Sequence, residues 1–244
     1  MLVPLALLYS HISSRKAGIF GDMLTVHHLN FSQSERIIWL LEELELPYEL
    51  RVYQRDPVTQ FAPDELRSIH PLGSAPVLCD GEIVLAESGA IIEYVLARYG
   101  DGRLTVPVTS PQYPDYLYWL HYANSSLMTQ ITMNWIAGMA AEPGSNSGLL
   151  SALKERLERH LFLVEDHLSR ATYFAGTEFT AADIIMHFPF GTMKGFYNVG
   201  LDNRPNIKAW LARISDRPHY QRAMKVAGHE QDPALDLGET RSVF

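Results

Sequence analysis

Between Asp115 and Glu142 the chain carries no Asp, Glu, Lys or Arg, an uncharged run of 26 residues in a protein of 244. That is long enough to span a bilayer as a helix. Its polar content argues against a span, because His121, Asn124, Ser125, Ser126, Thr129, Gln130, Thr132 and Asn134 would carry too many hydrogen-bonding groups into lipid. Apolar and aromatic residues recur instead at Tyr116, Leu117, Trp119, Leu120, Ala123, Leu127, Ile131, Trp135 and Ile136, close to the spacing of a helix face. A helix that can spare no charges in water must be covered on most sides, by core, by a partner subunit or by an apolar ligand.

With 47% apolar and 20% charged residues, the chain has ample material for one or two packed domains. Its net charge of −8 argues against broad nucleic-acid binding, which is built from clustered Lys and Arg. A single cysteine, Cys79, excludes a disulfide framework and a cysteine zinc cluster, and no His set has the spacing of metal ligands. Small molecules or other proteins are the expected partners, with no metal, nucleic acid or membrane.

Residues 1–22 are apolar at first, then carry Ser13, Ser14, Arg15 and Lys16 with no acidic residue before Asp22. A secretory signal places its positive charges ahead of the apolar run, not behind it. This stretch reads as an extension before a fold that starts at Met23, with an organelle-targeting segment as the alternative. From Leu24 the pattern is regular. LTVHHL is a strand, SERIIWLLEELELP a helix stopped by Pro47, residues 48–53 a second strand, and residues 63–69 a short helix opened by proline. Two short strands, 75–78 and 83–85, flank the turn signal Asp80-Gly81, and residues 88–99 form a helix ended by Gly100. The order is β-α-β-α-β-β-α.

A Pro/Thr-rich stretch then leads into helices expected over residues 115–140, 149–170, 181–193, 205–214 and 218–226, with Pro189 expected to kink the third. The domain reading is an extension over 1–22, a first domain over 23–103, a linker over 104–114, a helical domain over 115–228 and a tail over 229–244.

This order, with SERIIWLLEEL, IHPLGSAPVL, LAESGAIIEYVL and YFAGTEFTAADI in succession, resembles the glutathione transferases, most closely the serine-type, theta-like branch found in yeast and bacteria. The resemblance spans residues 24–228 and implies a thioredoxin-like α/β domain followed by an all-helical domain. It also implies a cytoplasmic homodimer that uses glutathione as co-substrate and conjugates its thiolate to a hydrophobic electrophile. Two other readings stay open: a glutathione-dependent tailoring enzyme of a natural-product pathway, and a transferase-like fold used for regulation or protein interaction.

The site residues come from the same resemblance. A hydroxyl donating to the glutathione sulfur favours the thiolate, the form that attacks electrophiles. Ser32, four residues before Arg36 and close to the positive end of the first helix, is nominated for that role, with Ser34 and Asn30 as competitors and Ser34 equally suited to cap the helix. Gln33 stands where an Arg often follows the serine. Pro76 is the expected cis-proline, holding Ala75 to pair with the cysteinyl backbone of glutathione, while Glu87 and Ser88 would take the γ-glutamyl ammonium and carboxylate. No Lys stands near Ser74 for the glycyl carboxylate, and Arg55 is the substitute. Tyr116, Trp119 and Tyr122, or Ser125, would line the acceptor site, with Asn124 where relatives carry an acidic residue. Cys79 reads as a small buried residue without a catalytic part, and Thr180 with Asp183 as a folding cap.

Overall fold

The computed structural model describes residues 23–142 and 147–229. The extension 1–22 and the tail beyond His229 lie outside the described residues. Strand β1 (Leu24–Leu29) is buried along almost its whole length because it is central. Its neighbours are β2 (Tyr48–Tyr53), parallel, and β3 (Val77–Asp80), antiparallel; β3 turns back into β4 (Ile83–Ala86) to give the order β2-β1-β3-β4. The hairpin loop is Gly81-Glu82, one residue later than expected, with Gly81 at φ 58°. Asp80 stays in the strand because its carboxylate accepts from Tyr94 Oη at 2.6 Å and from Tyr99.

Helix α1 (Glu35–Glu43) carries apolar residues on every side, and Ile37 to Leu41 are all buried, as a helix packed on all faces must be. One side meets the sheet and α3 (Ser88–Tyr99). The other meets α7 (Ala181–Phe190) and α9 (Pro218–Val226), where Trp39 lies against Phe179, His187 and Tyr220. This helix is the seam between the α/β half and the helical half. The short α2 (Glu65–Ile69) anchors through buried Leu66.

The uncharged run folds as α4 (Tyr113–Tyr122), a π-helical segment (Ala123–Met128) and α5 (Thr129–Ala140), not as one regular helix. Inside the widened turn Thr129 Oγ1 donates to the Asn124 carbonyl, five residues back, at 3.3 Å. Gln130 and Asn134 are buried, and both donate to the Leu153 carbonyl of α6 (Gly148–Leu168), at 3.2 and 3.1 Å. Four of the polar residues that argue against lipid, Ser125, Thr129, Gln130 and Asn134, thus donate to neighbouring backbone carbonyls. Core covers the α4 side of this run, while Met133, Ile136 and Met139 of α5 stay exposed. The third expected helix stops at Phe190, one residue after Pro189, and a 3₁₀ turn (Thr192–Gly195) follows. Helices α8 (Pro205–Ser215) and α9 complete the fold.

The end of α9 docks against the loop between β1 and α1. The Ala227 carbonyl accepts from His28 Nε2 at 3.1 Å, and His229 Nε2 pairs with Glu35 at 2.9 Å. Thr192 also donates to the Glu35 carboxylate, at 2.7 Å. Burial pushes the Glu35 carboxyl up, but His229, His187 and Thr192 outweigh it and hold the group below its ordinary value of 4.5. A depressed carboxyl adds stability that is present above the unfolded value and lost as pH falls through the lower folded one. The Tm advantage of the native chain over Glu35→Gln is therefore expected to shrink as pH falls below about 4.5. Calorimetry from neutral pH to pH ~3 measures it, and a constant gap would rule this linkage out.

Candidate functional site

The site is built where β1 runs into α1 and where cis-Pro76 brings β3 back beside it. The loop carries Asn30, Phe31, Ser32 and Gln33, with Phe31 held at φ 54°. Ser32 is 8% exposed. Its Oγ accepts from the Ser34 backbone N–H at 3.3 Å and lies 2.7 Å from Ser34 Oγ. Ser34 sits at the α1 N-cap yet makes no capping bond: its fully buried hydroxyl lies 2.7 Å from His28 Nδ1 and accepts from the Leu29 N–H at 3.2 Å. Of the two serines, only Ser32 keeps exposed surface. Asn30 turns to Gln54 Oε1 at 3.1 Å.

The Ala75–Pro76 peptide is cis, as expected. Glu87 is exposed and sits at φ 70°, ψ 114°, a sparsely populated conformation for a residue with a side chain. Ser88 opens α3 and is buried. Its hydroxyl donates to Gln33 Oε1 at 3.2 Å and accepts from Asn124 Nδ2 at 3.0 Å and Arg36 Nη1 at 3.2 Å. The π-helical turn thus delivers Asn124 to the start of α3.

Arg36 enters the sequence reading only as the marker four residues after Ser32, because a charged residue on a helix reads as a surface position. It is fully buried. Its Nη1 contacts Gln33, Ser88 and Asn124, all neutral, and its Nε and Nη2 find no hydrogen-bond partner among the described residues. Burial lowers its pKa to about 9, with Glu35 opposing, so the guanidinium stays charged. Positive potential from this group and from the α3 N-terminus converges on Ser88.

Arg55, the expected partner of a glycyl carboxylate, already donates through Nε, Nη1 and Nη2 to the carbonyls of Asn30, Gln60 and Phe31 at 3.1, 3.0 and 2.9 Å. It clamps the serine loop, and its guanidinium lies 5.7 Å from the Phe196 ring of the helical half. Tyr116, Trp119 and Tyr122, expected at the acceptor site, are only 5%, 3% and 6% exposed. Trp119 packs on His167 and Phe174, and the Tyr122 hydroxyl meets His160 of α6 at 2.5 Å. Asn124, which does reach the site, lies two residues beyond Tyr122 and so roughly 200° around the helix. The aromatic residues nearer the serine loop are Phe31 and Phe196, with Trp135 stacked edge-on against Phe196 at 5.6 Å.

Cys79 is half-buried on β3, with Sγ 3.5 Å from His27 Nε2. Burial raises the thiol and lowers His27, so the pair stays neutral. No group of three or more His, Cys, Asp or Glu suited to a metal occurs among the described residues.

Two family models match this chain: "Glutathione S-transferase, N-terminal domain" over residues 23–97 and "Glutathione S-transferase, C-terminal domain" over residues 129–218. The chain belongs to the glutathione S-transferase family. Glutathione S-transferase 3 of Schizosaccharomyces pombe is 34% identical over 229 residues, 88% of this chain and 91% of that one. Glutathione S-transferase 1 of Saccharomyces cerevisiae is 29% identical over 217 residues, covering 81% and 92%. A crystal structure of a glutathione S-transferase from Actinobacillus pleuropneumoniae superposes with a TM-score of 0.78 at 34% identity, covering 90% of this chain and 99% of that one. Membership bears out the expected fold, a thioredoxin-like domain followed by a helical one, and the enzyme class, a transferase with glutathione as co-substrate.

Proposed function

We propose that this glutathione transferase joins the thiolate of glutathione to an electrophilic carbon of a hydrophobic acceptor, with Ser32 as the thiolate's hydrogen-bond donor. The observation that carries the assignment is the ordering of the two serines. Ser34 is sealed behind the loop, while Ser32, at the positive end of α1, accepts from a backbone N–H and can turn its proton from Ser34 Oγ, 2.7 Å away, to a charged acceptor.

The remaining contacts fit the tripeptide. Ala75 offers backbone hydrogen bonds to the cysteinyl part. The exposed Glu87 suits the γ-glutamyl ammonium, and Ser88 with Arg36 behind it suits the carboxylate. Phe31, Phe196 and Trp135 supply apolar surface for a planar acceptor. Calorimetry with glutathione, followed by conjugation assays on aryl halides and on natural-product intermediates, tests the reading. No glutathione binding at millimolar concentration would favour the non-catalytic alternative, and turnover confined to intermediates the tailoring one.

We also propose a homodimer in the cytoplasm, where a reduced thiol pool supplies the co-substrate. A groove of about 840 Å3 runs between α4 and α6, lined by Leu117, Tyr118, Tyr122 and Leu163 among others. Tyr118 is half-exposed there, and Ile83 and Val84 of β4 also face water, more apolar surface than one subunit needs to show. No helix among the described residues is long and apolar enough to cross a membrane. Tyr118→Glu is expected to shift sedimentation from dimer to monomer; an unchanged dimer would place the interface elsewhere.

A further inference from the structure

The hydrogen-bond chain behind Ser32 ends on an imidazole, and its proton pattern is set by its far end. The Ala227 carbonyl can only accept, so His28 Nε2, 3.1 Å away, carries a hydrogen. Burial lowers the His28 pKa, and the Ala227 carbonyl and Glu35 only partly offset this, so the free ring is neutral at pH 7 and Nδ1 is bare. Ser34 Oγ has two acceptors in reach, Nδ1 at 2.7 Å and the Leu29 carbonyl at 3.3 Å. Its one proton goes to the shorter contact, since a bare Nδ1 facing an unprotonated side of Oγ at 2.7 Å would be repulsive, and Oγ then accepts from Leu29 N–H and from Ser32 O–H. At rest, both hydroxyl protons point inward.

A thiolate above Ser32 reverses this pattern. Once the Ser32 proton turns to sulfur, the 2.7 Å contact between Ser32 and Ser34 remains a hydrogen bond only if Ser34 donates outward. The contact between Ser34 and His28 then remains one only if Nδ1 carries a proton. We propose that His28 receives the proton that leaves the glutathione thiol, relayed through Ser32 and Ser34. The S–H bond breaks and its proton passes to Ser32 Oγ. The former Ser32 proton moves to Ser34 Oγ and the former Ser34 proton to His28 Nδ1, while the electron pair stays on sulfur. The imidazolium formed donates to Ser34 and to the Ala227 carbonyl, so neither of its N–H groups is stranded.

Among the groups around His28, the Glu35 carboxylate favours the charged ring and His229 opposes it, while Asn30 adds a favourable hydrogen-bonding contribution. Ser34 and His28 are fully buried and touch no substrate, so they are positioning residues that act through Ser32. The missing cap fits this role, because the Ser34 hydroxyl faces His28 in place of the orphan N–H groups of α1.

The inference rests on Ser32 contacting the thiolate, and one set of measurements separates the two. Nitrogen NMR of the His28 ring in the full chain, with and without saturating glutathione, is run beside the ultraviolet absorbance of the thiolate. The ring is expected to change from the neutral Nε2–H form to the doubly protonated form as the thiolate band appears. A ring that stays neutral beside a full thiolate band overturns the relay. Ser34→Ala is expected to raise the bound-thiol pKa by about one unit with KM for glutathione held within about twofold, and Ser34→Thr to restore it. An unmoved pKa in Ser34→Ala overturns the relay even if Ser32→Ala abolishes the band. A band unmoved in Ser32→Ala overturns both the relay and the role of Ser32.

Discussion

Ser32→Ala is expected to lower the rate of aryl-halide conjugation at neutral pH by roughly tenfold or more while glutathione binding changes by less than about threefold. A hydrogen bond to a charged acceptor contributes ~1.5–3 kcal/mol, and ~1.4 kcal/mol is one unit of pKa. Loss of the hydroxyl returns the bound thiol toward the ~8.5 of a free thiol, so most sites hold an unreactive S–H at pH 7. Binding is expected to suffer less, because the contacts proposed for the tripeptide at Ala75, Glu87 and Ser88 do not involve this hydroxyl. The deficit should narrow as pH rises through the free-thiol range, because hydroxide then does what the serine no longer does. A pH series of kcat/KM for both proteins makes the measurement. Equal rates at pH 7, or a gap that persists at high pH, would remove Ser32 from thiolate stabilisation.

How legible this site is in the amino-acid sequence depends on the range of the interactions that build it. The strand and helix order of the α/β half follows from local signals such as Pro47, the Asp80-Gly81 turn and Gly100, which act within a few residues of where they stand. Ser32 is nominated by a local pattern too, since the resemblance rests on its spacing from Arg36. The choice between Ser32 and Ser34 is not local. It depends on His28 and on Ala227, 199 residues from His28, which seal Ser34 behind the loop. Arg55 cannot be assigned from its neighbours in the chain alone, because two of its three acceptors, the Asn30 and Phe31 carbonyls, are brought to it only by folding.

The aromatic residues of α4 show a different limit. Periodicity correctly says that Tyr116, Trp119 and Tyr122 are covered, but it carries no information on whether core, partner or ligand covers them. The π-helical segment adds to the difficulty. One widened turn changes the direction of every later side chain, and nothing in ANSSLM announces it. Asn124 reaches Ser88 because of that turn.

The second large effect is on stability. Asp183→Ala is expected to cost about 3–5 kcal/mol and to leave KM for glutathione nearly unchanged in the fraction that folds. The carboxylate is fully buried at the start of α7 and accepts from four donors: Phe174 N–H at 3.1 Å, Thr180 N–H at 3.0 Å, Thr180 Oγ1 at 3.3 Å and Trp210 Nε1 at 3.0 Å. Alanine strands buried donors at ~1–3 kcal/mol each and breaks the capping box of a helix whose ten residues are all buried. Water cannot reach them without opening the packing of Trp210 against Phe174. Burial raises the Asp183 pKa to about 6, ahead of the donors that lower it. A carboxyl raised in the folded state adds stability that is fully present below its unfolded value and declines as pH climbs through the folded one. The gap between the native chain and Asp183→Ala should therefore widen as pH falls from about 7 toward 5. Asp183→Asn, which keeps one acceptor oxygen, should fall between the two. Urea unfolding of the three proteins at both pH values decides it: a loss below about 1 kcal/mol for the alanine variant would mean that α7 is held by its packing and not by this cap.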